Sequence, residues 1–128
     1  MTRDSAKKRT VRAYIEYASR GYPEADVIGS ILDADIRSDL LAVSAMLERL
    51  DREGKSYISA AVRDVYMFAN SSSRKRITSE RVLAHAMTVY ADVRTVWRWL
   101  RYAKELFSEL AEAEALDHRP FKEYFDNL

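Results

Sequence analysis

The stretch ITSERVLAHAMTVYADVRTVWRWLRYAKELFSEL, Ile77 to Leu110, decides which fold this chain of 128 residues can adopt. It contains neither glycine nor proline and carries the densest basic and aromatic surface in the sequence. Two arrangements fit it, and they differ only over Thr88-Val89-Tyr90-Ala91-Asp92. In the first, Thr78 or Ser79 caps a short helix over Glu80 to Met87, the chain turns, and Asp92 caps a second helix from Val93 to about Ala113. In the second, Val82, Ala86, Val89, Val93, Val96, Leu100, Ala103, Phe107 and Leu110 recur at spacings of four and three without a break. That pattern describes one long amphipathic helix in a bundle, its arginines forming a solvated face. Thr88, Val89 and Tyr90 are poor choices for a helix interior, which tilts the balance slightly toward the turn.

The two-helix arrangement has a chemical consequence. Arg94, Arg98 and Arg101, at offsets of four and three, share one face of the second helix, opposite Val93, Val96, Leu100 and Phe107. A helix that buries one face and offers arginines on the other fits the major groove of DNA, where arginine meets guanine bidentately or grips phosphate. Thr95 adds a hydroxyl for a base or phosphate. Arg74, Lys75, Arg76 and Lys104 are the expected backbone-phosphate contacts. Trp97 is expected to anchor the helix on the core, with Trp99 and Tyr102 toward the arginine face.

The run Thr95-Val96-Trp97-Arg98-Trp99, with Arg94 before it and Arg101 and Ala103-Lys104-Glu105-Leu106-Phe107 after it, resembles the recognition-helix segment of RinA-like and ArpU-like phage transcriptional regulators. Those proteins are in turn similar to the promoter-reading fourth region of bacterial sigma factors. Leu47-Glu48-Arg49-Leu50-Asp51-Arg52-Glu53-Gly54-Lys55, then Tyr57-Ile58 and Val65-Tyr66, is similar to the family's approach to that motif. The likeness covers about Leu41 to Leu110. It implies a sequence-specific regulator of double-stranded DNA, of phage or prophage type, with RNA polymerase and a second copy of the chain as the protein partners it admits. Where the family's first motif helix ends in glycine or asparagine, this chain has Met87-Thr88-Val89-Tyr90-Ala91, about two residues longer.

Composition narrows the fold. At 14.8 kDa the chain is one domain by length, and with Gly 3 and Pro 2 it lacks the turn residues an all-β fold needs. The expectation is all-α: a small helical bundle over 1–73, a helix-turn-helix over 74–114 and an acidic, aromatic tail over 115–128. Cys 0 excludes disulfides and thiolate chemistry. No apolar run approaches the length that spans a bilayer, so no membrane partner and a cytoplasmic location are expected.

Net charge is only +1, but it is unevenly spread. Residues 1–12 carry +4, 13–73 carry −4, 74–104 carry +6 and 105–128 carry −5. Positive charge concentrated on two arms is the electrostatic footprint of a polyanion-binding protein.

Along the rest of the chain, Lys7, Lys8, Arg9 and Arg12 lead into a helix that Gly21-Tyr22-Pro23 ends. Glu24 opens a second helix. Ile36, Leu40, Val43, Leu47 and Leu50 mark a third, separated from the second by Asp33 or Asp35 or continuous with it through a bend. That stripe suits the core or, alternatively, a dimer seam. Gly54 suits a positive φ in the turn Asp51-Arg52-Glu53-Gly54, ahead of a helix over Lys55 to Ala69 with Phe68 turned inward. Asn70 to Arg76 is expected to be a loop ending in three cations. Phe121, Tyr124, Phe125 and Leu128 share a face and are expected to dock on the bundle.

Catalytic patterns are missing from the sequence. His85 and His118 lack partners at metal-ligand spacing, and there is no glycine-rich phosphate loop or nucleophile elbow. Neither cofactor nor enzymatic chemistry is expected. The rival to DNA binding is a helical adaptor that assembles through the stripe of Ile77–Leu110 or that of Ile36–Leu50.

Overall fold

A computed structural model of the chain describes residues 3–67 and 74–117. All regular structure among them is helical: α1 (Arg3–Ser19), α2 (Ala25–Gly29), α3 (Ala34–Arg52), α4 (Ser56–Tyr66), α5 (Arg74–Val89) and α6 (Val93–Asp117). The two longest, α3 and α6, pack against one another most extensively, and α1 and α4 close the core around them. Among the described residues the short α2 leans on α3, and α5 packs on α4 and α6. No helix among the described residues is long and apolar enough to cross a membrane.

The apolar stripes meet in the centre. Leu40, Val43, Met46, Leu47 and Leu50 of α3 are buried against Val96, Leu100, Ala103 and Phe107 of α6, with Val62 and Val65 of α4 beside them. The stripe of α3 is therefore core and not a dimer seam. Tyr14 of α1 is fully buried, 5.6 Å from the Tyr66 ring and 6.0 Å from that of Phe107. Its hydroxyl donates to the Met46 sulfur at 3.6 Å. Burial against this aromatic cluster pushes the Tyr14 pKa far up and that of Tyr66 to about 12, because a phenolate there would lose its hydration.

Three of the helix ends share one device. At the ends of α1, α3 and α5 a residue with positive φ is followed by an N–H that reaches back five residues: Tyr22 to the Tyr17 carbonyl at 3.2 Å, Lys55 to Leu50 at 2.7 Å and Ala91 to Ala86 at 2.9 Å. This is the Schellman closure, which satisfies a carbonyl the helix leaves open. Gly21 and Gly54 fill the positive-φ position in the first two, both at φ 76. Tyr90 fills it in the third, at φ 57, where a side chain costs about 1–2 kcal/mol.

Residues 90–92 are thus a turn, shorter than the expected 88–92, and the unbroken helix is excluded: α5 continues through Thr88 to Val89, which is exposed, and α6 begins at Val93. Asp92 caps α6, its carboxylate accepting from the Arg94 N–H at 2.8 Å and its carbonyl from Thr95 and Val96. At the head of α3, Asp33 accepts from the N–H groups of Asp35 and Ile36, both at 3.0 Å, so α2 and α3 are separate helices.

Several expected boundaries move: α5 ends at Val89 where Met87 was expected, and α6 runs to Asp117 where about Ala113 was expected. α4 runs from Ser56 to Tyr66 and stops short of Ala69; Phe68, His118 and the aromatic tail lie outside the described residues. α5 starts at Arg74, so neither Thr78 nor Ser79 is its cap. Arg74, Lys75 and Arg76 are good helix formers, and they extend the helix by a turn where a loop was expected.

Candidate nucleic-acid interface

The two sides of α6 carry different chemistry. Val96, Leu100, Ala103 and Phe107 are buried, whereas Arg94, Arg98 and Arg101 are exposed on the opposite side, within about 60° of one another on the helical wheel. None of these arginine side chains makes a hydrogen bond or ion pair among the described residues. Elsewhere arginines are engaged: Arg9 binds Asp39 between α1 and α3, Arg37 donates to the Ile31 carbonyl at 2.6 Å, and Arg49 pairs with Glu53 at 3.1 Å. The N-terminal basic cluster is accordingly part structural, since Arg9 is drawn onto α3.

The other expected contacts are distributed unevenly. Thr95 is half-buried and lies about 60° from Arg98, at the edge of the arginine face. Lys104 is on the opposite flank, its ammonium 4.9 Å from the centre of the Tyr66 ring; burial pushes its pKa down, because the charged form loses hydration. It therefore rests on the bundle and does not extend the arginine row. Arg74, Lys75 and Arg76 form the first turn of α5, and their side chains lie outside the described residues.

The two tryptophans exchange roles. Trp99 packs edge-on against Tyr57 of α4 at 5.1 Å and faces His85 of α5 at 6.5 Å, while Trp97 is the exposed one at 38%. On the wheel Trp97 lies about 40° from Arg101 and about 60° from Arg94, whereas Trp99 lies about 140° or more from both, so the periodicity itself puts Trp97 beside the arginine face. Tyr57 and His85 stand on the side of Trp99 and hold it there.

Tyr102 does lie toward the arginine face, and it brings in a cation that periodicity could not reveal. Lys55, at the head of α4, donates to the Tyr102 hydroxyl at 2.7 Å, with its ammonium 4.5 Å from the ring centre. That hydrogen bond holds the Lys55 pKa above the ordinary lysine value, with Glu53 at 3.7 Å adding to it. Lys55 is 47 residues from Tyr102 in sequence, so only packing joins them. The candidate interface is thus Arg94, Arg98 and Arg101, edged by Trp97 on one side and by Tyr102 with Lys55 on the other.

Beneath it, α5 is fastened to α4. Arg81 donates to the Asp64 carbonyl at 2.9 Å, and His85, buried, lies 2.7 Å through Nδ1 from the Asp64 carboxylate. An ionised carboxylate only accepts, so Nδ1 carries the hydrogen and Nε2 faces the interior with no hydrogen-bond partner among the described residues. No group of three or more His, Asp or Glu that could hold a metal ion occurs among the described residues.

No family model, curated protein or solved structure is found to match the chain.

Proposed function

We propose that α5, the Tyr90–Asp92 turn and α6 form a helix-turn-helix that binds double-stranded DNA with α6 in the major groove, in a transcriptional regulator of the phage or prophage type that the sequence resembles. One observation carries this reading: Arg94, Arg98 and Arg101 are exposed along one face at the N-terminal half of α6 and have no partner of their own among the described residues. α6 has no acidic residue in its first turn and no basic residue in its last, which is opposite to what the helix dipole favours. Asp92 caps the helix, but Arg94, Arg98 and Arg101 beyond it have no anion of their own among the described residues, and nucleic-acid phosphate supplies one. Two further features agree with it. Tyr90 is held in a costly conformation while 96% exposed, and strained, exposed turn residues concentrate at functional sites. The apolar stripes through which an adaptor would assemble are buried in the core of the chain itself, apart from the exposed Val89 and the half-buried Ile36, Val93 and Leu110.

The test is binding to a fluorescein-labelled random-sequence duplex, followed by anisotropy at low and near-physiological salt. Affinity should fall steeply with salt, and the triple variant Arg94→Ala/Arg98→Ala/Arg101→Ala should stay folded and lose binding. If the lost arginines all contact phosphate, any residual binding should show a log–log salt slope shallower by about 0.9 for each contact removed. Absence of binding at low salt would overturn the reading. On an operator, each arginine that meets guanine should contribute about 1–3 kcal/mol of discrimination.

A further inference from the structure

The outer face of α6 does not end with the arginines. Continuing along the same row come Glu105, Glu109 and Glu112, all exposed and none with a hydrogen bond or ion pair among the described residues, although Glu109 lies near enough to Arg49 of α3 to interact with it electrostatically. All six charges lie within about 60° of Arg98 on the wheel, so they form one straight row, basic over its first half and acidic over its second. The row is also palindromic in charge. The midpoints of Arg94 and Glu112 and of Arg101 and Glu105 both fall on Ala103, and that of Arg98 and Glu109 falls half a residue beyond.

We propose that this face pairs with a second copy of the chain, α6 against α6 and antiparallel, about a two-fold axis near Ala103, and that the dimer masks the arginines from DNA. In that arrangement Arg94 meets Glu112 of the partner subunit, Arg98 meets the partner's Glu109 and Arg101 the partner's Glu105, with each pair repeated by symmetry. Antiparallel dipoles attract, and the partner's glutamates add negative charge beside the N-terminal half of α6, where Asp92 is the cap. Glutamate and phosphate then compete for the same three arginines. The pairing itself stands on the charge row alone; the masking rests on the DNA-binding reading above. Exposed ion pairs are weak singly and screened by salt, so the dimer is a low-salt, concentration-dependent species.

Within one helix Arg98 and Glu109 are about 16 Å apart and Arg94 and Glu112 about 27 Å, too far to touch, so a charge-reversal cycle isolates contact between copies. Sedimentation velocity should find the wild type dimeric at low salt and monomeric at high salt. Arg94→Glu/Arg98→Glu and Glu109→Arg/Glu112→Arg should each be monomeric with unchanged helicity by circular dichroism. The chain carrying all four changes should dimerise again. A wild type that is monomeric at every salt concentration, or reversals whose combination does not restore the dimer, overturns the interface.

Masking is tested separately with Glu105→Gln/Glu109→Gln/Glu112→Gln and the same random-sequence duplex. It should bind several-fold more tightly than wild type where the wild type is dimeric, and no more tightly where both are monomeric. A gain that persists among monomers reflects net charge alone and overturns masking. If neither protein binds the duplex, the proposed function fails and masking falls with it, while the sedimentation result still decides the interface.

Discussion

α3 and α6 are the two long helices of this fold, packed along one another with comparable apolar stripes, yet they arrange their charges in opposite ways. α3 begins with Asp33 as its cap and Asp35 in its first turn and ends with Arg49 and Arg52, as the helix dipole favours. Its Arg37 donates to a backbone carbonyl and its Arg49 pairs with Glu53. α6 is also capped by an aspartate, Asp92, but along its outer face it places its cations first and its acids last, and its three outward arginines make no hydrogen bond or ion pair among the described residues. Charges on α3 close the structure; the outward arginines of α6 are left for something outside it. Proteins depart from local rules most often at functional sites, and here the departure coincides with the face to which the sequence pattern assigns DNA.

The largest expected effect falls where the two helices agree. Phe107→Ala removes a fully buried ring shared by α1, α3 and α6 and should destabilise the protein by about 3–5 kcal/mol in urea or thermal unfolding. Arg98→Ala, on the outer face of the same helix, should change stability by less than about 0.5 kcal/mol. Similar losses from both would erase the distinction between the faces.

Alkaline titration probes the same core. Tyr66 has a folded pKa raised to about 12 from an ordinary 10, and that of Tyr14 is raised further. The native state therefore holds these protons after the unfolded state has released them. Their contribution is fully present below pH 10 and is lost as pH climbs from 10 through 12, at up to about 1.4 kcal/mol per unit for each tyrosine. Stability measured against pH should bend downward above 10, and Tyr66→Phe should make the bend shallower. A profile that is flat from pH 9 to 11.5 contradicts the burial of these hydroxyls.

A smaller difference separates the turns that end α3 and α5. Gly54 takes its positive φ freely, whereas Tyr90 takes it under strain, so Tyr90→Gly should raise stability by about 1 kcal/mol. If affinity for duplex DNA falls at the same time, the tyrosine is retained for its exposed ring; unchanged affinity makes it a tolerated strain only.

The smallest effect separates the helices most directly. Arg94→Glu puts an acid at the head of α6 and should raise stability by about 0.3–1 kcal/mol while weakening DNA binding. Asp35→Arg makes the opposite change in α3 and should lower stability by about as much, with no loss of DNA affinity. If both substitutions destabilise, the dipole argument for α6 is wrong.

Much of this molecule was legible because helices repeat locally. The scarcity of glycine and proline pointed to an all-helical fold, the spacings of four and three marked the buried faces of α3 and α6, and Gly21 and Gly54 marked two of the helix ends. The arginine face followed from the same periodicity, which requires only that residues on one helix keep their angular order. Tertiary structure decided the rest. The break between α5 and α6 has a tyrosine where glycine would announce it, and the Ala91 to Ala86 hydrogen bond closes it. The helical angle turns Trp99 away from Arg94 and Arg101, but that Tyr57 and His85 stand there to hold it was decided by packing. Lys55 joins Tyr102, and Asp64 joins His85, across 47 and 21 residues that no local pattern connects. A periodic sequence determines which face of a helix turns inward; what stands across from that face depends on how the helices pack.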